Sequence, residues 1–221
     1  MFACQGEERM VEKKVIVDFF EMLNESKLNY VLIKNDDNVL PNYLESENDI
    51  DFLIHPSDYE KLVEICISNG YEKRVGESCK RYFLEQLRDD LLFRREDCYF
   101  HFYEALPCSP LTNMGECKMA LERRVQEYIW ENKIWDEANQ WWIMNDVAIL
   151  LYLIVRSVFD KKEFKRKYIR EIEKRREFLE RKEFKSLAQT VFFGFTPVLI
   201  ELVKSEEYDK ILGKYLSYSK Y

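Results

Sequence analysis

The chain has 221 residues, of which 47% are apolar and 34% are charged, and its formal net charge is −7. This composition is typical of a soluble globular chain long enough to bury a sizeable core, and it excludes an intrinsically disordered protein. The negative charge argues against sequence-independent binding to a nucleic-acid backbone, which requires a basic surface.

The sequence carries no pattern typical of secretion, of a membrane span or of a zinc site. Residues 1–10 are polar and lack the apolar region of a signal peptide. The longest apolar run, Val147–Val155, is too short to cross a bilayer. The six cysteines form no C-x-x-C pair, and there are only two histidines. We therefore expect a cytoplasmic protein with free thiols and no membrane partner.

The first predicted elements are a helix and a strand. Apolar residues recur at helical spacing over 11–28, which predicts an amphipathic helix. The apolar run Tyr30–Ile33 predicts a β-strand that ends in Lys34 and Asn35. No glycine follows this strand, so Asn35, which tolerates left-handed backbone angles, is the residue that could shape the turn.

A second strand is predicted to begin with Asp49-Ile50-Asp51 and to end at Ile54. Side chains alternate along a strand, so Asp49 and Asp51 point to the same face. Two neighbouring carboxylates repel each other unless a cation lies between them, and Mg²⁺ is commonly held by one or two carboxylates together with substrate phosphates. An Asp-x-Asp pair can equally be a solvated strand edge or a turn cap, and the pattern alone leaves both interpretations open.

The elements that follow alternate between helix and strand. A helix is predicted over 57–68, a strand over 71–75 and a short helix over 77–88, after which Asp89-Asp90 could turn the chain. Leu91–Arg95 and Cys98–Tyr103 then predict an antiparallel hairpin. Alternation in its second strand places Tyr99, His101 and Tyr103 on one face.

The order of these elements carries a resemblance to a known family. A strand ending in Lys34-Asn35, a spacer with Leu40-Pro41, the Asp49-Ile50-Asp51 strand and a following amphipathic helix resemble the nucleotidyltransferase fold of the polymerase-β type. The pattern is similar to that of bacterial stand-alone nucleotidyltransferase-like proteins over roughly residues 10–104. The resemblance implies an α+β chain, with a small mixed β-sheet domain at 1–110 and an α-helical bundle domain at 111–221.

The resemblance also implies a site. Asp49 and Asp51 would hold Mg²⁺, and Lys34 with Asn35 would contact the phosphates of an NTP substrate. The third carboxylate of the family would lie on the hairpin, where this chain has Tyr99 or His101. A neutral histidine can accept a proton near neutral pH, so His101 is one candidate for the base that activates the acceptor hydroxyl. The other candidate is Glu104, at the end of the same strand.

The C-terminal half is predicted to be helical. The helix predicted over 145–160 is apolar nearly all round, which is typical of the buried centre of a bundle. Four tryptophans could line an acceptor pocket or pack a domain junction; they are Trp130, Trp135, Trp141 and Trp142. The helices are predicted over 116–130, 145–160, 164–182, 184–193 and 197–213.

Two functions from different classes follow from these patterns. The resemblance implies a nucleotidyltransferase that moves an NMP from Mg-NTP to a hydroxyl of a small molecule or sugar, so that its partners are a nucleotide and that acceptor. The alternative is a catalytically impaired protein of the same fold that acts as a binding or regulatory module. The absence of a glycine turn and of a third acid favours the alternative. A third interpretation, a partner-binding module, rests only on the aromatic and basic helical faces.

Overall fold

The computed structural model describes residues 10–35, 39–46, 48–74, 88, 90–111 and 118–219. These residues form an α+β structure with a seven-stranded mixed sheet and a helical C-terminal part, which confirms the predicted fold class. The chain divides into two compact units, one with residues 1–79, 89–104 and 135–143, the other with residues 80–88, 105–134 and 144–221. The domain boundary after residue 110 stays a prediction.

Seven strands of the described residues form one sheet, and two short strands pair separately. The sheet strands are β1 (Tyr30–Leu32), β2 (Asp49–Ile54), β3 (Glu72–Arg74), β4 (Leu91–Arg95), β5 (Cys98–Tyr103), β8 (Ile134–Asp136) and β9 (Trp141–Ile143); the separate pair is β6 (Pro107–Cys108) and β7 (Met119–Ala120). The strand order in the sheet is β3-β4-β5-β2-β1-β9-β8, and the central strand β2 is antiparallel to β1 and parallel to β5. Strands β8 and β9, which the sequence analysis did not predict, extend the sheet beyond β1.

Eight α-helices are present in the described part of the chain. The first two belong to the unit with the sheet, and the other six belong to the second unit. They are α1 (Lys13–Glu25), α2 (Tyr59–Ser68), α3 (Arg123–Asn132), α4 (Asp146–Val155), α5 (Arg166–Lys174), α6 (Lys182–Phe192), α7 (Thr196–Lys204) and α8 (Tyr208–Leu216).

An aromatic core fixes which face of the sheet is covered by α1. Phe52 of β2 is fully buried and stacks on Phe102 of β5, with ring centroids 4.6 Å apart. Phe19 of α1 stacks on Phe100 at 3.7 Å. Alternating residues of both strands therefore point into this core, and the residues between them, including Asp51, point to the other face.

The hairpin was predicted correctly in both strands, and its turn contains Glu96 at a φ of 55°. Helix α1 is shorter than predicted. Helix α3 begins at Arg123, so the predicted start at 116 was wrong. The single helix predicted over 197–213 is two helices, because the chain turns at Glu206 with a φ of 59°. Of the short helix predicted over 77–88, all but Arg88 lies outside the described residues.

The tryptophans do not form one group within either unit. Trp141 is buried on β9, where its ring lies 4.3 Å from that of Phe20. Trp135 and Trp142 make an edge contact at 5.2 Å. Trp130 lies on α3 of the other unit. Lining of an acceptor pocket by these residues stays a prediction.

Helix α4 is the buried centre of the helical unit, as its uniformly apolar sequence predicted. Asn145 caps it by accepting a hydrogen bond from the backbone N–H of Ala148 at 2.9 Å. One helical stretch among the described residues, Lys182–Lys204, is long and apolar enough to cross a membrane, but half of its most apolar window is buried within the structure. The core helix of a soluble protein passes the same test of length and composition, so this stretch does not by itself indicate a membrane span.

Glu171 of α5 forms hydrogen bonds with two neighbouring cations, and these contacts predict how the stability of the fold depends on pH. Glu171 is 7% exposed and accepts hydrogen bonds from Lys174 and from Arg175, the latter at 2.8 Å. Burial alone would raise the pKa of Glu171, but these two cations outweigh burial and lower it. A lowered pKa in the folded state stabilises the fold above the unfolded pKa, and this contribution is lost as pH falls through the folded value.

We expect Glu171→Gln to lower the free energy of unfolding by about 1–3 kcal/mol at pH 7, the scale of hydrogen bonds to charged groups. The difference from the wild type should shrink as pH is lowered below the ordinary range of a glutamate carboxyl. Urea unfolding at pH 7 and pH 3 measures this. Glu177→Gln, a carboxylate change on the turn that follows α5, is the matched control. A difference independent of pH would contradict the assignment.

Candidate active site

Strand pairing in the sheet brings the predicted site residues together. The parallel register of β2 and β5 sets Asp49 beside Tyr99 and Asp51 beside His101. Since side chains alternate along each strand, Asp49, Asp51 and His101 lie on the face opposite to Phe52 and the helix α1. Strands β2 and β5, which were both predicted from the sequence, therefore position the candidate site.

Three donor groups converge on this face. The Nδ1 atom of His101 lies 3.5 Å from Asp49 Oδ2 and 3.8 Å from Asp51 Oδ1. One ligand-capable atom of each residue lies within 4.8 Å of the others. Asp51 is 1% exposed, and its Oδ1 has no hydrogen-bond partner among the residues that the structure describes. A buried carboxylate oxygen without a partner is costly, so a cation at this position would offset that cost.

Lys34 neutralises the other oxygen of Asp51. Strand β1 runs antiparallel to β2, and the chain just beyond β1 brings the Lys34 ammonium into an ion pair with Asp51 Oδ2. The Lys34 side chain is 29% exposed, whereas that of Asp51 is 2% exposed. Lys34 thus lies at the edge of the cluster, with part of its side chain accessible to a ligand from solvent.

His101 is held from its other side by Asp90, which sequence reasoning assigned only to a turn. The Nε2 atom of His101 lies 2.6 Å from Asp90 Oδ2, and both side chains are buried. Leu92 of β4 pairs with His101, and Asp90 precedes it by two residues, so strand alternation places Asp90 on the same face as His101. That alternation was the sequence signal that could have identified Asp90. The Tyr103 hydroxyl lies 2.9 Å from His101 Nδ1.

The charges of the cluster depend on one another. The hydrogen bond with His101, aided by the charge of Lys34, lowers the pKa of Asp49 to about 2, although partial burial opposes this shift. Burial alone would lower the pKa of His101, but its hydrogen bonds with Asp49 and Asp90 and the charge of Asp51 outweigh burial and raise it. The carboxylates therefore favour the charged form of the imidazole, and Lys34 favours the ionised form of Asp49.

The other predicted site residues lie outside this cluster. Glu104 directly follows β5 and is not part of the group of close ligand atoms around Asp49. The Asn35 side chain accepts hydrogen bonds from the backbone N–H groups of Val39 and Leu40, at 3.1 and 3.3 Å. Asn35 thus shapes its own loop, as a turn residue would. The phosphate role of Asn35 and the base role of Glu104 stay predictions.

A divalent cation fits the donor set of this site. Asp49 and Asp51 supply carboxylate oxygens from one strand, and Asp51 Oδ1, which has no hydrogen-bond partner among the described residues, lies 3.8 Å from His101 Nδ1. Carboxylate oxygens suit Mg²⁺ and Mn²⁺, and an imidazole nitrogen suits transition metals. The ion pair between Lys34 and Asp51 Oδ2 leaves Oδ1 available to the ion.

Three solved structures are similar to this chain. A lincosamide antibiotic adenylyltransferase, LnuA with lincomycin bound, is 14% identical, with a TM-score of 0.45, and the match covers 76% of this chain and 98% of that one. The antibiotic-resistance factor ANT(2'')-Ia is 12% identical, with a TM-score of 0.44 and coverage of 93% and 97%. An antigenic nucleotidyltransferase-like protein from Paracoccidioides brasiliensis is 13% identical, with a TM-score of 0.44 and coverage of 91% of each chain.

The first is an adenylyltransferase and the third is a nucleotidyltransferase-like protein, the fold family that the Asp49-Ile50-Asp51 pattern resembles. No family model and no curated protein matches the chain. Similarity at this level does not establish an activity, so the function proposed below rests on the geometry of Asp49, Asp51 and His101.

Proposed function

We propose that this protein is a nucleotidyltransferase that transfers an NMP from a metal-bound NTP to a hydroxyl of a small molecule or sugar. The observation that carries the proposal is the convergence of Asp49, Asp51 and His101, with a buried oxygen of Asp51 that has no hydrogen-bond partner in the described part of the chain. Paired carboxylates on adjacent positions of one strand face suit a divalent ion that also binds substrate phosphates.

The proposed roles follow from the positions of the side chains. Asp49 and Asp51 would hold a divalent ion, Mg²⁺ by the resemblance, which would supply positive charge beside the transferred phosphoryl group. Lys34, at the edge of the cluster, exchanges its contact with Asp51 for a nucleotide phosphate. The base toward the acceptor hydroxyl is either His101 or Glu104. Because phosphoryl chemistry depends mainly on positioning and electrostatics, the two aspartates carry most of the expected effect.

A specific observation favours the alternative, a binding or regulatory module on the same scaffold. Lys34 already forms an ion pair with Asp51, and His101 lies beside Asp49 where the family has a third acid. Lys34, and His101 whenever it is protonated, reduce the negative charge that draws a divalent ion into the site. In this alternative the scaffold binds a nucleotide or another ligand without transferring it. We expect a cytoplasmic protein in either case.

Thermal unfolding with nucleotide tests the proposal. Each of four NTPs is added to the purified chain with and without Mg²⁺ or Mn²⁺. Ligand at a hundred times its Kd adds about 2.7 kcal/mol to the stability of the folded state, which raises the unfolding midpoint visibly. We expect a metal-dependent rise in the wild type that Asp49→Asn/Asp51→Asn loses.

Glu64→Gln, which changes an exposed carboxylate on α2 of the same unit, is the matched control and should keep the rise. A rise of equal size in the double aspartate variant would contradict the proposed site. No rise with any nucleotide and either metal would contradict nucleotide use and favour a module with another ligand.

A further inference from the structure

The candidate metal site contains a nitrogen donor, His101, in addition to the carboxylates of Asp49 and Asp51. His101 is 7% exposed and is fixed by the contact between its Nε2 and Asp90 Oδ2 at 2.6 Å. A histidine that binds a metal ion almost always gives its other ring N–H to a carboxylate or a carbonyl, which orients the ring and strengthens the ligand. Asp90 stands in that supporting position, and it leaves Nδ1 directed to the side of Asp49 and Asp51.

The distances around Nδ1 suit joint coordination of one ion. Ligand atoms about 2.1 Å from an ion lie about 3.0–3.4 Å from one another in octahedral or tetrahedral geometry. Nδ1 lies 3.5 Å from Asp49 Oδ2 and 3.8 Å from Asp51 Oδ1, so small side-chain shifts would close the set around an ion. An independent observation is that Asp51 Oδ1 has no hydrogen-bond partner in the described part of the chain while Lys34 contacts only Oδ2, so Oδ1 is available to a cation.

We propose that His101 Nδ1 is the third ligand of the metal ion, beside Asp49 and Asp51, and that the site prefers a first-row transition ion over Mg²⁺. Imidazole nitrogen is a good ligand for transition metals, whereas Mg²⁺ takes oxygen ligands and gives up its waters reluctantly. Asp90 is the positioning residue that holds the imidazole. The lone pair that binds the ion cannot also accept a proton, which leaves Glu104 as the remaining candidate base.

This inference deepens the proposed function. The use of the ion in catalysis rests on that function, but the binding of the ion by these three residues does not, because it requires no nucleotide. The Tyr103 hydroxyl is the competitor for Nδ1 at 2.9 Å. Metal binding requires it to turn its hydrogen away from the ring. Tyr103→Phe removes this competitor, and we expect tighter Mn²⁺ binding in that variant.

The decisive measurement is pulsed electron paramagnetic resonance on the full chain with Mn²⁺ alone, which detects a nitrogen bound directly to the ion. We expect nitrogen coupling that changes when histidine is labelled with ¹⁵N. The chain has only two histidines, so His55→Asn makes His101 the single source of that signal. His55 contacts Ser57 in the connection after β2, and the variant should keep the coupling.

Calorimetric titrations with Mn²⁺ alone and Mg²⁺ alone give the second readout. We expect the wild type to bind Mn²⁺ at least about tenfold more tightly than Mg²⁺, and Asp90→Asn to weaken Mn²⁺ binding about 10–100-fold, the scale for partners of a metal-bound histidine. His101→Asp should reduce the preference for Mn²⁺ by restoring a third carboxylate.

Two results would overturn the inference. One is Mn²⁺ that binds in an Asp49-dependent way without nitrogen coupling, and the other is no binding of either ion at millimolar concentration. The labelled wild type needs no substitution, so a variant that fails to fold does not block the measurement. Nitrogen coupling without any effect of nucleotides would keep this metal site and reject the proposed transferase.

Discussion

Replacing Asp51 by alanine should lower metal-dependent nucleotidyl transfer at least about a hundredfold, a typical scale for the loss of such electrostatic stabilisation. Asp51 is buried at the centre of the sheet between Lys34 and His101, and its Oδ1 has no hydrogen-bond partner among the described residues. In the proposed mechanism this carboxylate holds the ion, and in the structure it already positions the ammonium of Lys34. Pyrophosphate release under saturating NTP and metal measures the loss.

The same experiment separates catalysis from folding. Asp51→Asn keeps the shape of the side chain and removes its charge, so it should lose activity as Asp51→Ala does while its unfolding midpoint stays close to that of the wild type. Glu64→Gln on α2 is the control for the loss of one carboxylate from this unit. Retained activity in either Asp51 variant would contradict the assigned role.

Replacing Phe52 by alanine should lower the free energy of unfolding by about 3–5 kcal/mol, the usual cost of removing a buried aromatic ring. Phe52 follows Asp51 in β2 and is fully buried on the opposite face. Its ring stacks on Phe102 at 4.6 Å and contacts the rings of Phe19 and Phe20. The substitution leaves a cavity between α1 and the two central strands, because closely packed neighbours relax only in part.

Urea unfolding monitored by circular dichroism measures the effect of Phe52→Ala. Ile67→Ala, which truncates a 55% exposed side chain on α2, is the control and should change stability by less than about 0.5 kcal/mol. A loss below about 1 kcal/mol for Phe52→Ala would contradict the position of β2 at the centre of the core. The strand register that brings Asp51 to His101 depends on the same core.

The elements predicted correctly from the sequence are those whose conformation depends on residues close together in the chain. The alternation in Cys98–Tyr103 predicted both limits of that strand and the face of His101. The Asp49-Ile50-Asp51 alternation likewise placed both carboxylates on one face. In each case the residue type and its immediate neighbours determine the conformation.

Features that depend on distant parts of the chain were missed. Strand β9 joins the sheet through the pairing of Ile143 with Leu32, more than a hundred residues earlier, and no local pattern reveals that partner. Asp90 was assigned to a turn because its partner, His101, lies on the other strand of the hairpin, and only the alternation of the paired strands links the two residues. The break at Glu206 requires a left-handed backbone angle at a residue type that rarely adopts it, so helical periodicity predicted a continuous helix.

The fate of the α-phosphoryl group tests the central claim most directly. The chain is incubated with a divalent ion, a mixture of hydroxyl-bearing small molecules and NTP labelled on either the α or the γ phosphorus. We predict transfer of the α label to an acceptor with release of pyrophosphate, and loss of this transfer in Asp49→Asn/Asp51→Asn but not in Glu64→Gln. Transfer of the γ label, or α transfer that persists without the two aspartates, would contradict a nucleotidyltransferase site built on Asp49, Asp51 and His101.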